Sequence, residues 1–152
     1  MADAKSILLI EDNDVIRRYY ADRLRQILSD CVVVEAATAK TGLDMFRWQT
    51  IDCVILDLSL PDMSGFEVLE KLVPVATEPL VPVLILTALD NGDLLQAAES
   101  KGAFLALQKD LTCADELATY IRRAMTVIPV DKKASARSAC SAASSGVLNR
   151  RS

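Results

Sequence analysis

Histidine is missing from all 152 residues of the chain. That absence excludes Ser–His and Cys–His nucleophile pairs and removes the commonest transition-metal ligand. The four cysteines, Cys31, Cys53, Cys113 and Cys140, show no C-x-x-C spacing. Cys31 and Cys53 fall in predicted strands. Buried thiols in a reducing compartment are expected, rather than disulfides or zinc. No apolar run approaches the ~20 residues that a membrane-spanning helix needs. Residues Met1 to Lys5 lead into a strand without a basic stretch before an apolar one. The expectation is a soluble cytoplasmic chain with no membrane partner.

Apolar residues, by contrast, make up 51% of the chain, which excludes disorder throughout. The length suffices for one domain with a substantial core. The net charge of −4 is unevenly spread. Residues 131–152 hold five basic residues and one acid, which leaves 12 basic and 20 acidic residues in the first 130, net −8. An acidic domain does not favour nucleic acid, and none is expected as a direct partner. It favours divalent cations and basic partners.

Continuous apolar runs alternate with segments of helical period, the pattern of βα units around a parallel sheet covered on both faces. Strands are predicted over 6–10, 31–36, 51–57, 81–86 and 104–107. Helices are predicted over about 14–28, from Thr38, from Ser64 with Glu67 completing a capping box, from Asp90-Asn91-Gly92-Asp93 to Gly102, and from behind Thr112 to about Ile128. Ile16, Tyr20, Leu24, Ile27 and Leu28 share one face of the first helix. Tyr20 and Trp48 are expected as packing residues. Five strands and five helices fit a flavodoxin-like doubly wound sheet of order 2-1-3-4-5. Residues 1–129 are expected to form the domain, and 130–152, rich in Ala, Ser and basic residues, a flexible tail or linker.

Four predicted strands end in polar residues: Glu11-Asp12 after the first, Asp57 after the third, Thr87 after the fourth and Lys109 after the fifth. In such a sheet these carboxyl ends are where ligands bind. Three acids, a hydroxyl and an amine there form one polar cluster. Asn13 or Asp14 can cap the first helix, which leaves Glu11 and Asp12 for a metal ion.

Glu11-Asp12, Asp57, Leu60-Pro61-Asp62-Met63-Ser64-Gly65, Thr87-Ala88, Gly102-Ala103 and Lys109 together resemble the response regulator receiver domain. The resemblance spans about Lys5 to Met125. It implies a two-component phosphorelay function in which Asp57 accepts a phosphoryl group from the phosphohistidine of a histidine kinase or phosphotransfer domain. It implies Mg2+ as cofactor, on Asp12, Asp57 and the carbonyl of Ser59, with Glu11 acting through bound water. Lys109, Thr87 and the N–H of Ala88 would meet the phosphoryl oxygens. The domain would catalyse its own phosphotransfer and a slow self-dephosphorylation. Three acids around one hard ion suit magnesium chemistry.

Two positions depart from the family. Ala106 stands where an aromatic is usual, with Phe104 expected on the same side of the strand. Asp110 replaces the usual proline after the lysine, so a trans bond is expected between Lys109 and Asp110. A haloacid-dehalogenase phosphatase is rejected because Ser59 stands where its second Asp is required. A flavodoxin is rejected because Glu11-Asp12-Asn13-Asp14 would repel phosphate. A receiver-like interaction module that is never phosphorylated is the alternative. No DNA-binding or catalytic output domain is recognised after residue 130. The output is therefore expected through the surface of the fourth helix, fifth strand and fifth helix, toward a downstream protein partner or a second copy. Stand-alone regulator and piece of a hybrid kinase both fit.

Overall fold

The computed structural model describes residues 4–130. The basic stretch expected as a tail, with Cys140, lies outside them, apart from Val130, which packs half-buried against the core. Five parallel strands lie in the order β2-β1-β3-β4-β5: β1 (Lys5–Ile10), β2 (Cys31–Ala36), β3 (Cys53–Leu56), β4 (Val83–Thr87) and β5 (Leu105–Gln108). They alternate with α1 (Asp14–Ile27), α2 (Ala39–Trp48), α3 (Gly65–Leu72), α4 (Gly92–Ser100) and α5 (Ala114–Val127), and a single 3-10 turn spans Lys109–Leu111. The predicted order and alternation match the structure.

Period two along the central strands divides the core between two faces. Leu8, Ile10, Val54, Leu56, Val83 and Ile85 face α2 and α3. Ile7, Leu9, Cys53, Ile55, Leu84 and Leu86 face the other way, toward Tyr20, Leu24, Leu28, Leu117 and Ile121 of α1, its C-terminal end and α5. Each fully buried Leu or Ile contributes about 1.5–3 kcal/mol from water exclusion.

Local chemistry sets the element ends. Of the two caps the sequence offers, Asn13 and not Asp14 caps α1, accepting from the Ile16 N–H at 3.0 Å. Ser64 caps α3, but through Phe66 N–H at 3.2 Å rather than the N–H of Glu67. Cys113 and Glu116 form the capping box of α5. Gly102 closes α4 at φ 109°, a left-handed conformation that L side chains rarely adopt. β4 begins at Val83, later than predicted, because Pro82 has no N–H to donate to the ladder.

Two packing expectations fail. Trp48, the last residue of α2, is 68% exposed. Phe104 packs with the α1/α5 core, while Ala106 packs with the opposite one. β5 starts at Leu105, so strand alternation does not extend back to Phe104. Among the described residues no peptide bond is cis and no helix is long and apolar enough to cross a membrane.

Candidate functional site

The carboxyl ends of β1, β3, β4 and β5 bring Glu11, Asp57, Thr87 and Lys109 to one rim of the sheet. Hydrogen bonds from neighbouring strands hold the acids there. Glu11 N–H donates to Ala36 O at 3.0 Å and Asp57 N–H to Ile10 O at 3.1 Å. Ligand oxygens of Glu11, Asp12 and Asp57 lie within 4.8 Å of one another. Glu11 and Asp57 are buried, while Asp12 faces solvent. Three clustered carboxylates with no nitrogen or sulfur donor suit a hard, oxygen-seeking divalent cation.

Lys109 neutralises part of this charge. Its Nζ donates to Asp57 Oδ2 at 3.1 Å and forms a close ion pair with Glu11 Oε1. Only a tenth of its side chain is exposed. Burial opposes its charge, but the bonds to Glu11 and Asp57 outweigh that and hold its pKa above the ordinary amine value. Burial pushes the Glu11 carboxyl up, against the lowering effects of Lys109 and of the Asn13 N–H at 3.0 Å.

The β3–α3 turn fixes Asp57 from the other side. Its Oδ1 accepts from the Ser59 N–H at 3.1 Å. Gly65 lets α3 start directly against this turn, since a Cβ there would lie 2.4 Å from Leu58 Cα and 2.7 Å from Asp57 O. Thr87 is buried and its Oγ1 accepts from Leu89 N–H at 3.3 Å. Ala88 is exposed beside it.

The residues singled out from sequence thus share one sheet edge, and Glu11, Asp12, Asp57 and Lys109 gather into one cluster. Glu11, expected to act through bound water, is ion-paired with Lys109, a contact that its place after β1 does not announce. Asp62, part of the 60–65 motif but given no role by it, has a carboxylate that accepts from Ala39 N–H and Lys40 N–H, each at 3.0 Å, tying the β3–α3 loop to the start of α2. Arg17 was missed too. Its buried guanidinium donates to the Glu11 carbonyl. Neither carried a local signal: Asp62 reads as a turn former and Arg17 as one basic residue on a helix. At one departing position, Ala106 N–H donates to Glu99 Oε2 at 3.0 Å; farther along β5, Gln108 Nε2 donates to Asp90 Oδ1 at 2.7 Å.

Comparison with known proteins gives the same picture. The family model described as the response regulator receiver domain matches residues 7–122. The transcriptional regulatory protein PdtaR of Mycobacterium tuberculosis is 29% identical over 129 residues, covering 82% of this chain and 61% of PdtaR. The chain therefore spans less than two thirds of that relative's length. A response regulator receiver domain protein from Clostridium thermocellum aligns at TM-score 0.68 and 30% identity, covering 80% of this chain and 94% of that one. The signal receiver domain of a putative Luxo repressor protein from Vibrio parahaemolyticus aligns at TM-score 0.70 and 28% identity, over 80% and 93% of the two chains. With strand order, acidic rim and family match in agreement, the chain belongs to the response regulator receiver domain family of two-component signalling.

Proposed function

We propose that Asp57 accepts a phosphoryl group from a phosphohistidine on a histidine kinase or phosphotransfer domain. One observation carries the reading: Lys109 is held between Glu11 and Asp57, with Asp12 completing a set of three carboxylates whose ligand oxygens lie within 4.8 Å of one another. A carboxylate attacks phosphorus poorly until its own charge and that of the phosphoryl oxygens are offset. Asp12 and Asp57, with the Ser59 carbonyl, would hold Mg2+ directly, and Glu11 would act through water. The ion would supply the positive charge that makes the transfer electrostatically feasible.

In the transfer, Asp57 Oδ bonds to phosphorus as the phosphorus–nitrogen bond to the donor imidazole breaks, and the departing imidazole takes up a proton. Lys109 stays in place as a point cation for the phosphoryl oxygens. Ala88, small and exposed, leaves its N–H open to them. The Thr87 hydroxyl exchanges the Leu89 N–H for the same oxygens. That exchange pulls on the loop after β4, so one local charge change biases a two-state element. In-line attack by water on the acyl phosphate reverses the state slowly.

The output surface in this reading is α4, β5 and α5, which adjoin Thr87 and Lys109. It would meet a downstream protein or a second copy. The loop after β4 is linked to β5 here by the Asp90–Gln108 hydrogen bond, and α4 by the Glu99–Ala106 hydrogen bond, in place of an aromatic side chain.

The test is beryllofluoride with Mg2+, followed by amide NMR shifts. Shifts at Asp57, Thr87 and Lys109 that disappear in Asp57→Asn support the proposal. No shift, or the same shifts in Asp57→Asn, would leave a receiver-like interaction module. Size-exclusion profiles with and without beryllofluoride then report on the output surface.

A further inference from the structure

We propose that Arg17 is a positioning residue for the metal site, acting through the peptide bond between Glu11 and Asp12; this rests on the Mg2+ reading above. Arg17 lies in the first turns of α1 and is buried, an uncommon place for an arginine. Its guanidinium is used on all three nitrogens. Nε donates to Glu35 Oε1 at 3.2 Å, Nη1 to the Glu11 carbonyl at 3.0 Å, and Nη2 pairs with Asp14 Oδ1 at 2.7 Å. Glu35 is itself fixed from its other oxygen by Arg25 Nη2 at 3.0 Å, and Arg25 is anchored on Val33 O at 2.8 Å.

The Glu11 carbonyl belongs to the peptide unit that joins two of the three clustered carboxylates. Its plane sets ψ of Glu11 and φ of Asp12, and so sets where the Asp12 Cβ points. β1 ends at Ile10 and α1 begins at Asp14, so no ladder or helix bond reaches this carbonyl. Arg17 therefore holds the link between β1 and α1 against the end of β2. Asp12 is solvent-exposed and gains its aim from the backbone beneath it. A planar fork serves three acceptors in different directions, which an ammonium on a flexible stem cannot reproduce. Groups that orient ligand residues from behind typically change metal affinity 10–100-fold when removed.

The experiment is calorimetric titration of the full chain with Mg2+ alone, paired with melting curves in EDTA. Variants are Arg17→Lys, Arg17→Met and Glu35→Gln. Arg17→Lys is expected to weaken Mg2+ binding by about tenfold while still folding in EDTA. Glu35→Gln, which leaves the Glu11 carbonyl bond in place but loosens its anchor, should weaken binding less. If Arg17→Met does not fold, the other two variants decide the matter. Unchanged Mg2+ affinity in Arg17→Lys and Glu35→Gln, with only a lower melting temperature, would overturn the proposal and assign Arg17 a packing role. Absence of Mg2+ binding by the unmodified chain would overturn it together with the metal reading, a result distinct from the first.

Discussion

Lys109 Nζ donates to Asp57 Oδ2 at 3.1 Å across 52 positions of sequence, joining the end of β5 to the end of β3. The same ammonium also pairs with Glu11, so one cation serves two buried carboxylates while Asp12 stands nearby without it. The rim therefore carries excess negative charge.

That excess predicts how the protein responds to ions. Mg2+ should raise the melting temperature over that in EDTA, with about 2.7 kcal/mol gained at a hundred times its dissociation constant. Asp57→Asn should melt higher than the unmodified protein in EDTA, by roughly 1 kcal/mol, because one like charge is removed. It should also lose most of the Mg2+ response. Calorimetry in both buffers checks this, and an Asp57→Asn variant that gains as much from Mg2+ as the parent would refute the assignment.

Gly65→Ala should be costly. The new methyl would meet backbone at Leu58 Cα and Asp57 O, neither of which can swing aside. Overpacking of this kind costs about 1–3 kcal/mol, and relief requires the Asp57 turn to move. Urea unfolding should show the loss, and phosphorylation by a small-molecule acyl phosphate donor should fall with it. Retention of both stability and phosphorylation would show that the turn can shift freely.

Asp62 gives a pH-dependent expectation. The Lys40 and Ala39 N–H groups hold its carboxyl below the ordinary value of 3.8. A carboxyl depressed in the folded state contributes above the unfolded value, and the contribution fades as pH falls through the folded one. Asp62→Asn keeps one acceptor oxygen but loses the charge, so it should lower stability at pH 7 by well under the roughly 1 kcal/mol of a lost helix cap. The difference between the two proteins should narrow as pH drops below about 4. Denaturation at several pH values measures it, and a gap that stays constant down to pH 2 would contradict the ionic bond.

Leu89 follows Thr87 and Ala88 at the rim and donates its N–H to the Thr87 hydroxyl. Its side chain is apolar and exposed at the rim, and in the proposed phosphorylated state it is expected to screen an acyl phosphate on Asp57 from water. Leu89→Asn should speed dephosphorylation, up to about tenfold for 1.4 kcal/mol of lost shielding. Timed loss of radiolabel from the phosphorylated protein tests this, and equal half-lives would remove Leu89 from that role.

Strand order, helix positions and the residue types at the rim were legible in the amino-acid order because their causes are local. Apolar runs such as that over 81–86 identify buried strands, and Asn13, Thr38 and Ser64 mark helix starts by side-chain bonds within a few residues. The acids and lysine were recognisable because each lies within two residues of a strand's carboxyl end. Which of them meet was decided only by the folded sheet. The register that sets Leu56 beside Ile85 and Leu86 beside Leu107 carries Lys109 to Asp57 and Glu11 at once. Arg17 on Glu35, Asp62 on the start of α2 and Phe104 on the α1/α5 face likewise depend on neighbours far along the chain. Local periodicity carries no information about such distant partners, because it records which way a side chain faces and not what another segment brings to meet it.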